Sequence, residues 1–559
     1  MSDVRFTAPG PGVWELEQTH FSKPATRYTG ETFPLALERG FGEGTKRYGL
    51  LLDTLRLRTV NDFIYGQFRP VGAPEGAKGP PPKLIFQIIT RLHPAIRSRV
   101  AACPEVFATK LWRQDIDRWD REIKPDSIAR NAGLQRTSVA SLGDGEFVAH
   151  LESVRENARE MVYRHHIFTI PSSFPTGHFL VEAQRMTGLS SGEILGLLKG
   201  CAPISRGVAV DELAALATAL RASGRDLGQL RALAPEAALA ELRAASGDVG
   251  PAVERFLDTV GYRMFSGYDV SERYALEMPA MLVRIILTAA ATTARQEAQD
   301  QRLDRVRARV PAAERPLFDE LLEEARFTHR LRDERGMYND LWGTGLARRA
   351  LLEAGRRLVA NGVLPNAELA VNATHDELLG LLSGSKEPTL AELECRRQWR
   401  EGKTIADAPP FLGGTPSGPP PADWLPAKAR PNARAVDAII REIFAVSEKS
   451  GSAKAVEGLP VHPGVYTGPA RLVSGPADFD RIQHGDVLVT RTTGPAFNVI
   501  LPLLGAIVTD RGGQLSHAAI VAREYGLPAV VGTKAATTTF PDGARIRVDG
   551  DTGRVELVA

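Results

Sequence analysis

Cysteine is scarce in this sequence: three residues in 559, Cys103, Cys201 and Cys395, set far apart. A disulfide framework and a cysteine zinc knuckle are both excluded, and reduced thiols are expected. An excess of one charge is also lacking, since 69 basic residues meet 67 acidic ones. That balance gives no support to a protein that grips nucleic acid through a strongly basic surface. Long apolar runs are missing too. The best stretch, Met281 to Ala291, is too short to span a bilayer and carries Arg284. The opening Met-Ser-Asp-Val-Arg-Phe has an acid at position 3 and no apolar segment behind it, so it is not a secretory signal. A soluble, cytoplasmic protein with neither nucleic-acid nor membrane partners is the expectation.

Apolar residues at 43% and charged residues at 24% are the proportions of a globular protein, and 559 residues exceed a single core. Proline and glycine mark the main boundary. The run Ala408-Pro-Pro-Phe-Leu-Gly-Gly-Thr-Pro-Ser-Gly-Pro-Pro-Pro421, followed by Pro426 and Pro431, continues neither a helix nor a central strand. It predicts an exposed, partly extended connector, inside a linker and hinge region at 401–455. A short helix is expected there over Ala433 to Ser447, then a second hinge at Ser450-Gly-Ser-Ala453.

Ahead of that boundary, residues 1–400 read as one largely helical domain. Residues 1–45 show little periodicity, Tyr48 to Ile64 has apolar residues at mixed spacings, and Gly76 to Pro82 is a proline-rich loop. Apolar residues three and four apart predict helix over Val210–Leu242, Arg273–Arg302, Pro316–Arg330 and Gly345–Val359. After residue 456 the period becomes two. Short β-branched runs such as Asp486-Val-Leu-Val-Thr, Ala506-Ile-Val-Thr and Pro528-Ala-Val-Val alternate with glycines. The expected fold class is multidomain: a mostly α-helical substrate-binding domain, then a small α/β domain over 456–559.

The chemistry concentrates between Ala506 and Gly532. A buried strand ends at Thr509, Gly512 and Gly513 allow a sharp turn, and Ser516 is a natural N-cap for a helix that begins at His517. Gly526 closes that helix and Pro528 prevents its return. One imidazole is thereby set beside free backbone N–H groups and a positive dipole end. The dipole disfavours imidazolium and favours an added phosphoryl dianion, which suits a histidine that is phosphorylated and then discharged. On spacing alone a histidine at a helix start is more often a cap or a half-buried packing residue, and the glycine pair can be only a tight turn.

The run Gly512-Gly-Gln-Leu-Ser-His-Ala-Ala-Ile-Val-Ala-Arg-Glu-Tyr-Gly-Leu-Pro-Ala-Val-Val-Gly532 resembles the phosphohistidine signature of the PEP-utilising enzymes' mobile, or swivelling, domain. Its flanks, Pro463-Gly-Val-Tyr-Thr-Gly-Pro-Ala, Gly485-Asp-Val-Leu-Val-Thr and Val548-Asp-Gly-Asp-Thr-Gly-Arg-Val, agree. The resemblance implies that His517 is the phosphorylated histidine, supported by Thr509, Gly512, Gly513, Ser516 and Arg523. Leu515 departs from it, because many dikinases carry threonine at that position.

In that family the phosphoryl group comes from an ATP-grasp domain or a PEP-binding barrel. The chain ends at Ala559, so no barrel is expected, and the helical body lacks the strand alternation of an ATP-grasp fold. Gly40-Phe-Gly-Glu-Gly-Thr-Lys46 lacks the last glycine of a P-loop and is read as a plain loop. ATP and Mg2+ are therefore expected at a separate ATP-grasp subunit, with no metal or cofactor held permanently by this chain.

The body has further resemblances, to the acceptor-binding part of rifampin phosphotransferase and of split enzymes such as phenylphosphate synthase and alkylphenol phosphotransferases. Trp14-Glu-Leu-Glu-Gln-Thr-His20, Gly261-Tyr-Arg263 with Asp269 and Glu277, and Leu331-Arg-Asp-Glu-Arg335 carry it, with Tyr262 in place of a histidine. The resemblance implies a small hydroxylated, aromatic acceptor. Candidate acceptor-binding or general-base residues are His165, His166, His178, His329, Arg263, Asp269, Glu277 and Arg332. Arginine–carboxylate pairs joining helices and satisfied structural histidines are the plain alternatives. A phosphorelay protein that passes its phosphoryl group to another protein is the rival function.

Overall fold

The computed structural model describes residues 4–558 except 19, 266, 292–300, 445–446, 448–451, 453, 495–496 and 499. Among the described residues no helix is long and apolar enough to cross a membrane. The chain forms two compact units, each assembled from three segments. Both parts of the expected fold class are present: a mostly helical body and a C-terminal sheet domain.

The first unit comprises residues 1–172, 267–273 and 334–433. Its four-stranded antiparallel sheet contains β1 (Trp14–Leu16), β2 (Leu52–Val60), β3 (Phe63–Pro70) and β4 (Phe411–Leu412), in the order β2-β3-β1-β4. Trp14, Leu16, Phe63, Tyr65 and Leu412 pack together as its core. Asn61 and Asp62, both at positive φ, join β2 to β3 in a two-residue turn whose twist matches that of the strands.

Two expectations are corrected here. Residues 27–47 are a helix, capped by the Thr26 side chain, rather than aperiodic chain, and Gly40 to Lys46 belongs to that helix rather than to a loop. A Cβ on Gly40 would lie 2.5 Å from the Tyr163 carbonyl oxygen, so glycine here permits close approach to the helix Asp144–Ile167. The proline-rich connector is also more anchored than predicted. Phe411 and Leu412 pair with β1, and the Tyr65 hydroxyl donates to the Pro409 carbonyl at 2.9 Å. Residues 413–419 are the exposed part, and the following helix starts earlier than predicted, over Arg430–Phe444. Of the second hinge, 450, 451 and 453 lie outside the described residues.

The second unit comprises residues 173–266, 274–333 and 434–559. The long helical pattern at 210–242 resolves into Val210–Ser223, Leu227–Ala232 and Pro235–Arg243, broken by Gly224 and Pro235. The pattern over 273–302 gives the helix Pro279–Ala291, and its continuation at 292–300 lies outside the described residues. An eight-stranded sheet follows, with β5 (Ala455–Glu457), β6 (Leu459–His462), β7 (Val465–Leu472), β8 (Asp486–Thr490), β9 (Leu504–Thr509), β10 (Ala529–Val531), β11 (Arg545–Asp549) and β12 (Arg554–Leu557). Its order is β5-β12-β11-β7-β8-β9-β10-β6. Neighbours from β7 to β10 are parallel and the rest antiparallel. Val487, Val489, Ala506 and Val508 pack on one face, and Leu488 and Ile507 on the other with Ala518, Val521 and Ala522. A sheet covered on both faces explains the unbroken apolar runs of β8 and β9.

Candidate functional site

The carboxyl ends of β8, β9 and β10 gather three loops at one edge of the sheet, where open α/β sheets place their ligands. The loop after β9 is fixed from its first residue. The Asp510 amide donates to the Thr490 carbonyl at 3.1 Å and the Arg511 amide to the Arg491 carbonyl at 2.9 Å. The Asp510 carboxylate accepts the Thr537 amide at 3.1 Å and the Thr533 hydroxyl at 3.3 Å. Thr509 is buried, and its hydroxyl donates to the Arg511 carbonyl at 2.8 Å. Gly512 then turns at φ 105°, where a Cβ would lie 2.6 Å from that of Ser516. The Gly513 amide donates to the Ile443 carbonyl at 3.0 Å and the Leu515 amide to the Glu442 carbonyl at 2.8 Å.

This scaffold delivers the helix His517–Tyr525 with Ser516 as N-cap, its hydroxyl accepting from the Ala519 amide. His517 is the first helical residue, as expected. Its Nδ1 lies 2.9 Å from the Thr493 hydroxyl on the loop after β8. Burial, the largest cause, pushes the imidazole down to about 4; Asp333 opposes the shift and Arg332 adds to it. The ring is therefore neutral at pH 7. With Nδ1–H donating to the Thr493 oxygen, Nε2 holds the lone pair and is the nucleophilic nitrogen.

Arg523 is the last of the expected supporting residues. It is buried, with Nη2 donating to the Gln514 carbonyl at 2.6 Å and Nη1 to Gln514 Oε1 at 3.3 Å, so it braces the glycine turn. Burial, reinforced by Arg332 and Arg302, pulls it down to about 9. His329 is also buried and pushed to about 4, again by burial first, with Arg332 and Arg523 adding and Asp333 opposing. Asp333 is held by the Ser205 hydroxyl, and the Ser205 carbonyl accepts Asn498 Nδ2 at 3.0 Å. His517, His329, Arg332 and Asp333 thus share one electrostatic neighbourhood in the second unit.

The other candidates stand elsewhere in the chain. His178 lies on the helix Phe174–Thr187, pushed down by burial against the pull of Glu182. Arg263 is buried, and its carbonyl accepts the Ala275 amide at 3.1 Å. Glu277 accepts the Tyr274 amide at 3.2 Å and so closes a short turn. Asp269 belongs to the first unit, where Oδ2 accepts the Thr26 amide at 2.7 Å and hydroxyl at 3.1 Å, which ties down the start of the first helix. His165 and His166 are in the first unit as well, stacked at 4.5 Å. Thr493, Asp333 and Asp510 escaped the sequence reading. The signal for Thr493 was there: Thr492-Thr493-Gly494 immediately follows the buried strand β8.

Among the described residues no three His, Cys, Asp or Glu side chains are grouped to hold a metal ion. The glycines at 40–44 are built into helix packing, so they do not fit a triphosphate. No step through ATP or Mg2+ is derived for this chain.

Residues 482–553 match the PEP-utilising enzyme, mobile domain. That span holds β8 to β11, Thr493 and His517. Residues 166–335 match the rifampicin phosphotransferase fourth domain. An uncharacterised phosphotransferase of Bacillus subtilis is 28% identical over 320 residues, 55% of this chain and 36% of that protein. Chondramide synthase of Chondromyces crocatus is 32% identical over 272 residues, 47% of this chain and 7% of that protein. Rifampicin phosphotransferase of Bacillus cereus is 44% identical over 106 residues, 19% of this chain and 12% of that protein. The chain thus spans at most about a third of the length of these relatives. The mobile-domain match agrees with the signature around His517, and the fourth-domain match with the helical body.

The mobile-domain histidine and its neighbours also set an acid limit on stability. His329, His462 and His517 each sit near 4 in the folded chain against an ordinary 6.5. Below 6.5 the unfolded chain takes up the proton first, so their contribution is full above that pH and is lost as pH falls toward 4. Urea midpoints followed by circular dichroism should fall between pH 7 and pH 5, and fall less in His517→Gln. An equal fall in both proteins would show that His517 is not held neutral.

Proposed function

We propose that this chain is a phosphotransferase subunit in which His517 carries a phosphoryl group from a donor to the hydroxyl of a small phenolic acceptor. The observation that supports it most is the His517 imidazole itself: neutral, at a helix N-terminus, with Nδ1 committed to Thr493 and Nε2 left as nucleophile. Arg302 and Arg332 lie within electrostatic reach of Arg523, a setting that favours an arriving phosphoryl dianion. The donor in this reading is ATP with Mg2+, bound by a separate ATP-grasp subunit. Two half-reactions follow, and only the second uses this chain alone. In it the P–N bond breaks, its electron pair returns to Nε2, and a P–O bond forms on the acceptor.

Phosphoryl exchange isolates that half-reaction. An aryl ester has a good leaving group, so the step runs backward: His517 Nε2 attacks phosphorus and phenolate departs. The chain alone, without nucleotide, should move labelled phenol into unlabelled phenyl phosphate. An acid-labile, alkali-stable phosphoryl group on His517 should appear on the way. Silence across a panel of phenols and alcohols, in protein that a donor subunit can charge, would favour the relay reading instead.

A further inference from the structure

One helix of the first unit is packed inside out. The helix Lys83–Leu92 turns Leu84, Ile85, Ile88 and Leu92 to solvent, at 75%, 51%, 56% and 69% exposure, while its one fully buried residue is Thr90. Leu84, Ile88 and Leu92 are four apart, so they stand one above another as a ridge, with Ile85 beside it. A helix of a soluble domain normally turns such a stripe toward the core. This one is held the other way by its anchors. The Phe86 ring meets that of Trp424 at 6.1 Å, and the Thr90 hydroxyl donates to the Gln87 carbonyl at 3.0 Å. His93, just past the helix, lies so close to Gly72 that a Cβ there would be 2.9 Å from its ring. Pro82 and Pro94 restrict the chain at both ends. A contiguous row of exposed large aliphatic side chains marks a surface that something covers.

The charges around the ridge are all of one sign. Between Gly76 and Pro104 the sequence has Lys78, Lys83, Arg91, Arg97 and Arg99, and no Asp or Glu. Arg99 is buried, 3.1 Å from Asp53, and the other four are exposed. Lys83 and Arg91 stand on the helix itself, Lys78 precedes it, and Arg97 follows on the helix Pro94–Ala108. A second copy of the chain would bring two basic rims together with no carboxylate in the segment to offset them. An anionic lipid surface supplies both missing partners: phosphates for the rim, and a fluid acyl boundary that takes up aliphatic tips without a shaped groove.

We propose that the helix Lys83–Leu92 docks this protein on anionic lipid surfaces. Leu84, Ile85, Ile88 and Leu92 enter the boundary between headgroups and acyl chains, and Lys78, Lys83, Arg91 and Arg97 meet the lipid phosphates. At ten residues the helix lies in the interface rather than across it. The attachment departs from the expected lack of membrane partners, which rested on spanning and secretory segments alone. One short helix and four cations make it reversible and sensitive to salt. It is independent of phosphoryl carriage at His517.

Flotation of the full chain with vesicles tests this. The wild-type protein should float with vesicles of equal parts phosphatidylcholine and phosphatidylglycerol, and stay behind with vesicles of phosphatidylcholine alone. Raising the salt from about 0.1 M to about 0.5 M should release most of it. Leu84→Gln combined with Leu92→Gln, and Lys83→Glu combined with Arg91→Glu, should each weaken binding about tenfold or more. Both pairs should keep a urea midpoint close to wild type, because the changed side chains are exposed. A wild-type protein that ignores the anionic vesicles overturns the proposal, and that measurement needs no variant to fold. Equal binding to phosphatidylcholine alone, or binding undiminished in the Leu84→Gln and Leu92→Gln pair, overturns it as well. A dimer in sedimentation velocity that the same pair abolishes, in protein that ignores vesicles, would assign the ridge to a second copy instead.

Discussion

His517→Ala should carry no phosphoryl group and catalyse no exchange between phenol and phenyl phosphate. The loss should be complete because the motif offers no second nucleophile in the same place. Ser516 is spent capping the helix, and Thr493 is the partner of the lost ring. His329, the other imidazole in this neighbourhood, is buried. Stability at pH 7 should change by no more than about 1 kcal/mol, because the half-buried ring forfeits little packing and one hydrogen bond. At pH 5 the variant should compare more favourably with wild type, since it no longer carries an imidazole that resists protonation on folding. Phosphoryl labelling by mass spectrometry, with urea midpoints at both pH values, checks the set. Exchange at a near-normal rate in the variant would rule out a covalent route through this residue.

Thr493→Val should slow charging and exchange by about one to two powers of ten, equivalent to about 1–3 kcal/mol of barrier. In the proposed reading the hydroxyl accepts from Nδ1–H, which sets both the tautomer and the direction in which Nε2 points. Valine has the same shape without the oxygen, which leaves the ring free to place its proton on Nε2 and turn. Thr493→Ser should recover most of the rate. A purely structural threonine would give the opposite pattern: a lower urea midpoint with the rate per folded molecule unchanged. Valine at the wild-type rate would mean that the ring is oriented by something else.

The parts legible in the sequence are those in which local chemistry and tertiary packing agree. Strands β8, β9 and β10 and the helix His517–Tyr525 appear where their apolar runs, cap and glycines place them. The first helix was hidden because Gly30, Pro34, Gly40, Gly42 and Gly44 all argue locally against helix. It exists because the glycines allow close packing, as Gly40 shows against Tyr163. The β2–β3 hairpin was hidden because only Leu57 of β2 is fully buried, so alternation is faint. Its Asn61-Asp62 turn was nonetheless a readable signal. Arg523 was assigned by its place in a motif, and only its contacts with Gln514 show that it braces the turn.

The chain passes between its two units five times, at 172/173, 266/267, 273/274, 333/334 and 433/434. During synthesis β1 emerges some four hundred residues ahead of β4, its neighbour in the sheet. The first unit therefore cannot close its sheet until most of the helical part of the second has left the ribosome. Such wide separation of pairing partners makes for slow assembly and long exposure of the Trp14 edge, a natural client for a chaperone. It also bears on gene architecture. Because each unit is assembled from three segments, no single cut releases either unit whole.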